Sequence, residues 1–178
     1  MKTIIFDFDG VILDSLNAKT DAFYQMYVPF GIEIAEKVKK YHLLNGGVSR
    51  YEKFKFWHKN YLNKDISKNE IDNLSDEFSE LVVEKVINSK QVKGSIEFIK
   101  KYSKSLNFFI ITGTPQKEIE FIVNQLKIGN YFIEVLGSPK NKKEWCKYLL
   151  NKYKLNPDDT IFLGDSLSDY EAANFYNF

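Results

Sequence analysis

Two aspartates, Asp7 and Asp9, close the run Ile4-Ile5-Phe6-Asp7-Phe8-Asp9-Gly10-Val11. Alternate side chains of an extended segment project to the same side, so both carboxylates are directed toward one place. Acidic groups held together at the end of an apolar strand are costly unless something compensates them. A divalent cation, which takes oxygen ligands, is the compensation such a pair invites. Taken alone, a D-x-D pair is better read as a strand that stops at a polar turn, because the pattern is short and common.

Three further features add weight to the cation. Asn107-Phe108-Phe109-Ile110-Ile111 is a second apolar run, and it ends at Thr112-Gly113. Asp159-Thr160-Ile161-Phe162-Leu163 is another, ending at Gly164-Asp165-Ser166 with Asp169 following. Between these two lie Lys140, Lys142 and Lys143, at the start of an expected helix. In open α/β sheets, ligands bind beyond the carboxyl ends of the strands. All these residues would gather on that edge.

Asp7-Phe8-Asp9-Gly10-Val11 through Asp14-Ser15 resembles the first motif of the haloacid dehalogenase-like hydrolases. Thr112, the lysine cluster and Gly164-Asp165-Ser166-Leu167-Ser168-Asp169 resemble the second, third and fourth motifs, in the right order. The branch most resembled is the phosphoglycolate phosphatase and β-phosphoglucomutase-like one, which carries a helical cap. The resemblance implies Mg2+ held by Asp7, Asp165 and the main-chain oxygen of Asp9. It implies Asp7 as the nucleophile of an aspartyl-phosphate and Asp9 as general acid–base, protonated part of the time with the help of its neighbour's negative charge. Thr112 and the main-chain N–H of Gly113 would hold phosphoryl oxygens, and Asp169 would orient the metal's surroundings. Lys142 falls nearest the place of the family's lysine, with Lys140 and Lys143 left open. Family members usually continue with a further strand after the helix that follows Asp169. The chain given ends at Phe178, so the expectation is a sheet one strand smaller or a truncated chain, with an apolar face of the last helix exposed.

Composition agrees with an enzyme of this kind. A chain of 178 residues fits one domain, or one domain with a smaller insertion. An apolar content of 44% and an aromatic content of 16% supply a substantial core. A net charge of +1 gives no broad surface for nucleic acid or membrane. The lone cysteine, Cys146, excludes an internal disulfide and fits a reducing compartment. No signal peptide is expected ahead of the first strand, and no apolar run approaches the ~18 residues of a membrane span, so a cytoplasmic protein is expected. It is expected to be a monomer or weak dimer. Lysine supplies all but one of the 25 basic residues, and Arg50 is the sole arginine.

The elements that would position these groups are set by periodicity. Helices are predicted from Ser15 or Asn17 to about Tyr27, from Ile32 to Leu44, from Arg50 to Tyr61 and from Asn69 to Ile87. Residues 16–90 therefore read as an all-helical cap inserted into an α/β core made of residues 1–15 and 91–178. In that core, helices are expected over Gly94–Lys104, from Pro115 onward, over Asn141–Tyr153 and from Ser168 to about Tyr176; a third strand is expected over Tyr131–Leu136. This alternation predicts a parallel, doubly wound sheet.

Selectivity is expected to come from the cap, in the stretch His42–Lys53. Gly46 and Gly47 would allow close backbone approach to a ligand. Arg50 would meet a carboxylate or second phosphate; the alternative is a Gly-Gly helix stop followed by a surface arginine. His42 and His58 are expected to be structural and Trp57 to be core. The whole reading is a magnesium-dependent phosphatase acting on a small phosphorylated metabolite, a sugar phosphate or phosphoglycolate-like. A sugar phosphomutase using the same intermediate and a non-catalytic module keeping the fold are the rivals. Asp9 argues against dehalogenase chemistry, and against phosphonate cleavage through a cap lysine such as Lys53.

Overall fold

The computed structural model describes residues 2–178. Four strands form one parallel sheet: β1 (Thr3–Phe6), β2 (Asn107–Pro115), β3 (Glu134–Ser138) and β4 (Thr160–Leu163), in the order β3-β2-β1-β4. Ile5 is in register with Phe109 on one side and with Phe162 on the other. Eight α-helices accompany the sheet: α1 (Leu16–Tyr27), α2 (Ile32–Leu44), α3 (Arg50–Tyr61), α4 (Lys68–Ile87), α5 (Ser95–Tyr102), α6 (Gln116–Gln125), α7 (Lys142–Tyr153) and α8 (Leu167–Tyr176). This is the doubly wound α/β architecture that the strand–helix alternation predicts.

Alternation along each strand divides the core in two. Ile4, Phe6, Phe108 and Ile110 join one apolar cluster, whereas Ile5, Phe109 and Ile111 join the other with Leu136, Cys146, Leu149 and Ala172. Helices α1 to α4 lie between β1 and β2 in sequence; α1 packs on α2 and α4, and α4 also packs on α6. Their aromatic interior, with Phe23, Phe54, Trp57 and Phe78, is continuous with the cluster on the first face of the sheet. Phe23 stacks on Phe78 with ring centroids 3.8 Å apart and meets Trp57 edge-on at 5.0 Å. Trp57 is core, as expected.

Several boundaries differ from expectation, each for a local reason. Strand β2 does not stop at Ile111 but runs on to Pro115, with a register irregularity against β3, so Thr112 and Gly113 lie inside an irregular strand. Pro115 caps α6 rather than opening it. Gly129–Tyr131 is a 3-10 turn, which delays β3 to Glu134. Strand β4 has the apolar composition of a buried strand, but it is an edge: Ile161 and Leu163 are 40% and 38% exposed. Leu167, Tyr170 and Phe175 of α8 are exposed as well. Phe78→Ala should remove the stacked ring that ties α4 to α1, costing about 3–5 kcal/mol. Urea unfolding checks this, and a loss under about 1 kcal/mol would show that the aromatic cluster does not anchor the helices.

Candidate active site

The carboxyl ends of β1, β2 and β4 meet the first turns of α7 and α8. At the end of β1 the Asp7 N–H donates to Leu163 O at 2.8 Å, and Asp7 Oδ1 accepts from Phe8 N–H at 2.7 Å. Gly10 follows in the left-handed region, at φ 77°. A Cβ there would lie 2.1 Å from Asp165 Oδ2, so only glycine lets this turn pass beside the fourth motif. Asn141 and Glu144 form a capping box that starts α7 so that Lys142 is its first residue. Asp169 closes the start of α8 in the same way, accepting from the Ser166 N–H at 3.1 Å.

Lys142 joins these elements. Its ammonium donates to Asp7 Oδ2 at 2.7 Å and to Asp169 Oδ1, and all three side chains are buried. Of the three lysines in the cluster, Lys142 is the one at Asp7. Lys140 lies over the Trp145 ring and Lys143 pairs with Glu171 at the surface. Burial opposes the charged form of Lys142, but Asp7 and Asp169 together raise its pKa.

Oxygen ligands of Asp7, Asp165 and Asp169 lie within 4.8 Å of one another. Burial pushes the Asp7 pKa up to about 7, reinforced by Asp169 and Asp9 and opposed by Lys142. Burial and Asp169 likewise raise Asp165. Crowded carboxylates that resist ionisation are what a hard divalent cation would relieve, and the donor set fits Mg2+. Asp169 is the least available of the three, because Lys142 holds Oδ1 and Ser166 holds Oδ2.

Asp9 departs from expectation. Its carboxylate accepts from Ser15 Oγ at 2.5 Å, from Thr114 Oγ1 at 3.3 Å and from Lys19 Nζ, which also donates to Thr114 Oγ1 at 2.8 Å. Burial alone would raise the Asp9 pKa, but Lys19, Ser15 and Thr114 outweigh it and hold the group below its ordinary value. The expected partial protonation by neighbouring negative charge does not arise in this arrangement.

The loop between α2 and α3 covers the site. Asp7, Asp9, Asp165, Thr112 and Gly113 share one cavity with Gly46, Gly47, Arg50 and Lys53. The space in it for the centre of a water-sized molecule is about 30 Å³, room for only about two or three waters. A Cβ on Gly47 would lie 2.0 Å from Ser168 Oγ and 2.7 Å from Lys142 Nζ, and one on Gly113 would lie 2.9 Å from Gly47 O. The glycine pair thus brings backbone onto the motif residues. Arg50 is not a surface arginine. It is 4% exposed, donates to Glu118 Oε1 at 2.6 Å, Ser79 Oγ at 2.7 Å and Ser75 O at 3.2 Å, and lies over the Phe78 ring.

The site thus brings together all the sequence-expected residues, with Lys142 and Asp169 behind Asp7. It draws in Ser15 of the first motif and His42 and Lys53, the two ends of the selectivity stretch, and adds Lys19, Thr114 and Glu118. Two of the added residues had a weak signal: Thr114 stands two residues beyond Thr112 in an extended segment, and Lys19 one helical turn beyond Ser15. His42 lines the cavity with Nδ1 2.8 Å from Lys53 Nζ.

Comparison with known proteins agrees with the fold and the family. The profile of the haloacid dehalogenase-like hydrolases matches residues 4–177. A phosphorylated carbohydrates phosphatase from Thermotoga maritima is 29% identical, over 97% of this chain and 80% of that protein. A phosphoglycolate phosphatase from Photorhabdus laumondii is 30% identical, over 97% and 76%. Among solved structures, β-phosphoglucomutase from Clostridium difficile aligns with a TM-score of 0.79 at 22% identity, covering 100% of this chain and 82% of that one. A haloacid dehalogenase-like family protein from Streptococcus pneumoniae aligns at 0.71 and 20% identity, with coverage of 100% and 82%. Fold and motif order together define an α/β hydrolase with its site at the carboxyl edge of a parallel sheet. The chain belongs to the haloacid dehalogenase-like hydrolases.

Gly47→Ala should lower kcat/KM by about 10²-fold, as expected of a misplacement near 1 Å, while shifting Tm by only a few degrees. Near-normal kcat/KM would show that the loop need not pack this closely. Burial, helped by Lys53, pushes the His42 pKa from 6.5 down to about 2. The unfolded chain therefore takes up a proton below pH 6.5 that the folded chain refuses, so the stability held above that pH is lost as pH falls, by up to about 1.4 kcal/mol per unit. Unfolding midpoints between about pH 6.5 and 5 should fall less steeply in His42→Gln than in the parent.

Proposed function

We propose that this chain is a magnesium-dependent phosphatase that hydrolyses a small phosphorylated metabolite through an aspartyl-phosphate on Asp7. The observation that carries the reading is the convergence of Asp7, Lys142, Asp165 and Asp169 from three chain segments, beside one cavity that Asp7, Asp165, Thr112 and Gly113 line. Residues 1–15 and 91–178 act as the catalytic core and residues 16–90 as the cap. The relatives' names, a phosphorylated carbohydrates phosphatase and phosphoglycolate phosphatases, support the substrate class. A cytoplasmic location belongs to the same reading; no helix among the described residues is long and apolar enough to cross a membrane.

A phosphate monoester dianion repels an anionic nucleophile, so charge must be neutralised first. Asp7 and Asp165, with the main-chain oxygen of Asp9, would hold the Mg2+, which supplies that neutralisation. Lys142 holds Asp7 by one carboxylate oxygen and offsets charge on the transferring group. Asp7 then forms the new O–P bond as the bond to the leaving oxygen breaks. Thr112 Oγ1 and the Gly113 N–H bind phosphoryl oxygens. Asp9 protonates the leaving oxygen, and afterwards takes a proton from the water that cleaves the acyl phosphate. In the arrangement described, Lys19 and Ser15 keep Asp9 ionised and ready for the second step; donation in the first requires that Asp9 leave Lys19 and take up a proton from solvent beforehand.

A sugar phosphomutase using the same intermediate is the second reading. Product analysis with a sugar phosphate separates the two. Phosphate release from a metabolite panel should require Mg2+ and vanish with a chelator. Asp7→Asn should lower turnover by about 10³-fold or more with folding intact. Near-normal turnover by that variant would remove Asp7 from the nucleophile's role.

A further inference from the structure

A phosphomonoester has a second end, and its recognition bears on which metabolite is used; any assignment of that end rests on the phosphatase reading of the site. Four cations line or adjoin the cavity. Lys142 meets Asp7 and Asp169, Lys19 meets Asp9, and Arg50 meets Glu118. Lys53 is the exception: among the described residues it makes no ion pair with a carboxylate. Its Nζ reaches only neutral polar groups, His42 Nδ1 at 2.8 Å and Gly46 O at 3.2 Å, and lies 5.7 Å from the Phe23 ring centre. The residue is 2% exposed, on the fully buried inner face of α3 with Phe54 and Trp57.

An ammonium buried without a counter-charge is among the costlier things a protein can hold. Methionine of similar length would fill the same space among aromatic rings at no such cost. Burial and the neighbouring Lys19 push the Lys53 pKa down to about 7, against the opposing charge of Asp9. No carboxylate touches this ammonium, so a counter-charge in direct contact with it would have to arrive with a ligand. The cavity leaves little room, which favours a compact carboxylate on a short carbon chain over a bulkier group.

We infer that Lys53, steadied by His42 and Gly46, is a specificity-determining residue that takes the non-transferred end of the substrate, and that this end is a carboxylate. The substrate is then a short phosphorylated hydroxy acid rather than a neutral sugar phosphate. Lys53 neither attacks nor transfers a proton in this role; it supplies the counter-ion of the tail. Asp7 and Lys142 serve the phosphoryl end.

The test compares phosphoglycolate, ethyl phosphate and ethylene glycol bisphosphate with Mg2+ present. These place a carboxylate, a neutral methyl and a second phosphate at the same end. The parent should favour phosphoglycolate over ethyl phosphate by about tenfold or more in kcat/KM. Lys53→Met should bring that ratio close to one, with most of the change in KM, and Lys53→Arg should retain part of it. Lys53→Met should also melt at the same or a higher temperature, since it removes an uncompensated charge. A purely structural lysine would instead lower the melting temperature on substitution and leave the ratio unchanged. A parent ratio near one overturns the inference without any variant, and preference for the bisphosphate overturns the carboxylate. If none of the three esters, nor any member of the metabolite panel, releases phosphate, the phosphatase reading itself fails.

Discussion

The buried ammonium of Lys142 is the interaction on which the site depends. It lies between Asp7 at the end of β1 and Asp169 at the start of α8, and it is itself the first residue of α7. Three elements far apart in sequence are thereby joined at one charged atom. Breaking such a pair leaves an uncompensated buried charge, which typically costs about 3–5 kcal/mol. The same ammonium restrains the carboxylate that would attack phosphorus and occupies an oxygen of Asp169, leaving Asp165 the more available ligand. Structural and chemical roles are thus borne by one side chain.

Much of this was legible in the sequence, because the strands that end in functional residues are short apolar runs and the parallel alternation has few solutions. Helices α2 and α3 fall on their expected bounds, with Gly31 ahead of the first and Asn45-Gly46-Gly47 between the two marking clear breaks. The positions that depart from expectation share a different cause. Strand β4 carries the composition of a buried strand but lies at an edge, and edge position is a property of sheet order rather than of local residues. Thr114 and Lys19 carry only a weak signal in their spacing from Thr112 and Ser15, because they act by gathering around Asp9, a contact spanning 105 positions in one case and ten in the other. The partner of Arg50 was illegible: Glu118 lies on α6, 68 residues away, in an ordinary amphipathic helix.

The helices between β1 and β2 behave less like a separate lid than their sequence implies. Their aromatic interior merges with the apolar face of the sheet, and Arg50 and Ser79 are tied to Glu118 on α6 by a buried polar network. Networks of this kind are stable when every member is satisfied and costly when half-formed. The cover over the site therefore has a defined seat, fixed by the ion pair at one end and by the Gly47 backbone against Ser168 and Lys142 at the other.

A seat this close ties two parts of the molecule together. Arg50 is the first residue of α3 and Gly47 stands three positions before it, so whatever loosens Arg50 from Glu118 also loosens the backbone that lies against Ser168 and Lys142. A single ion pair between α3 and α6 thus bears on how closely the cover meets the carboxylates beneath it.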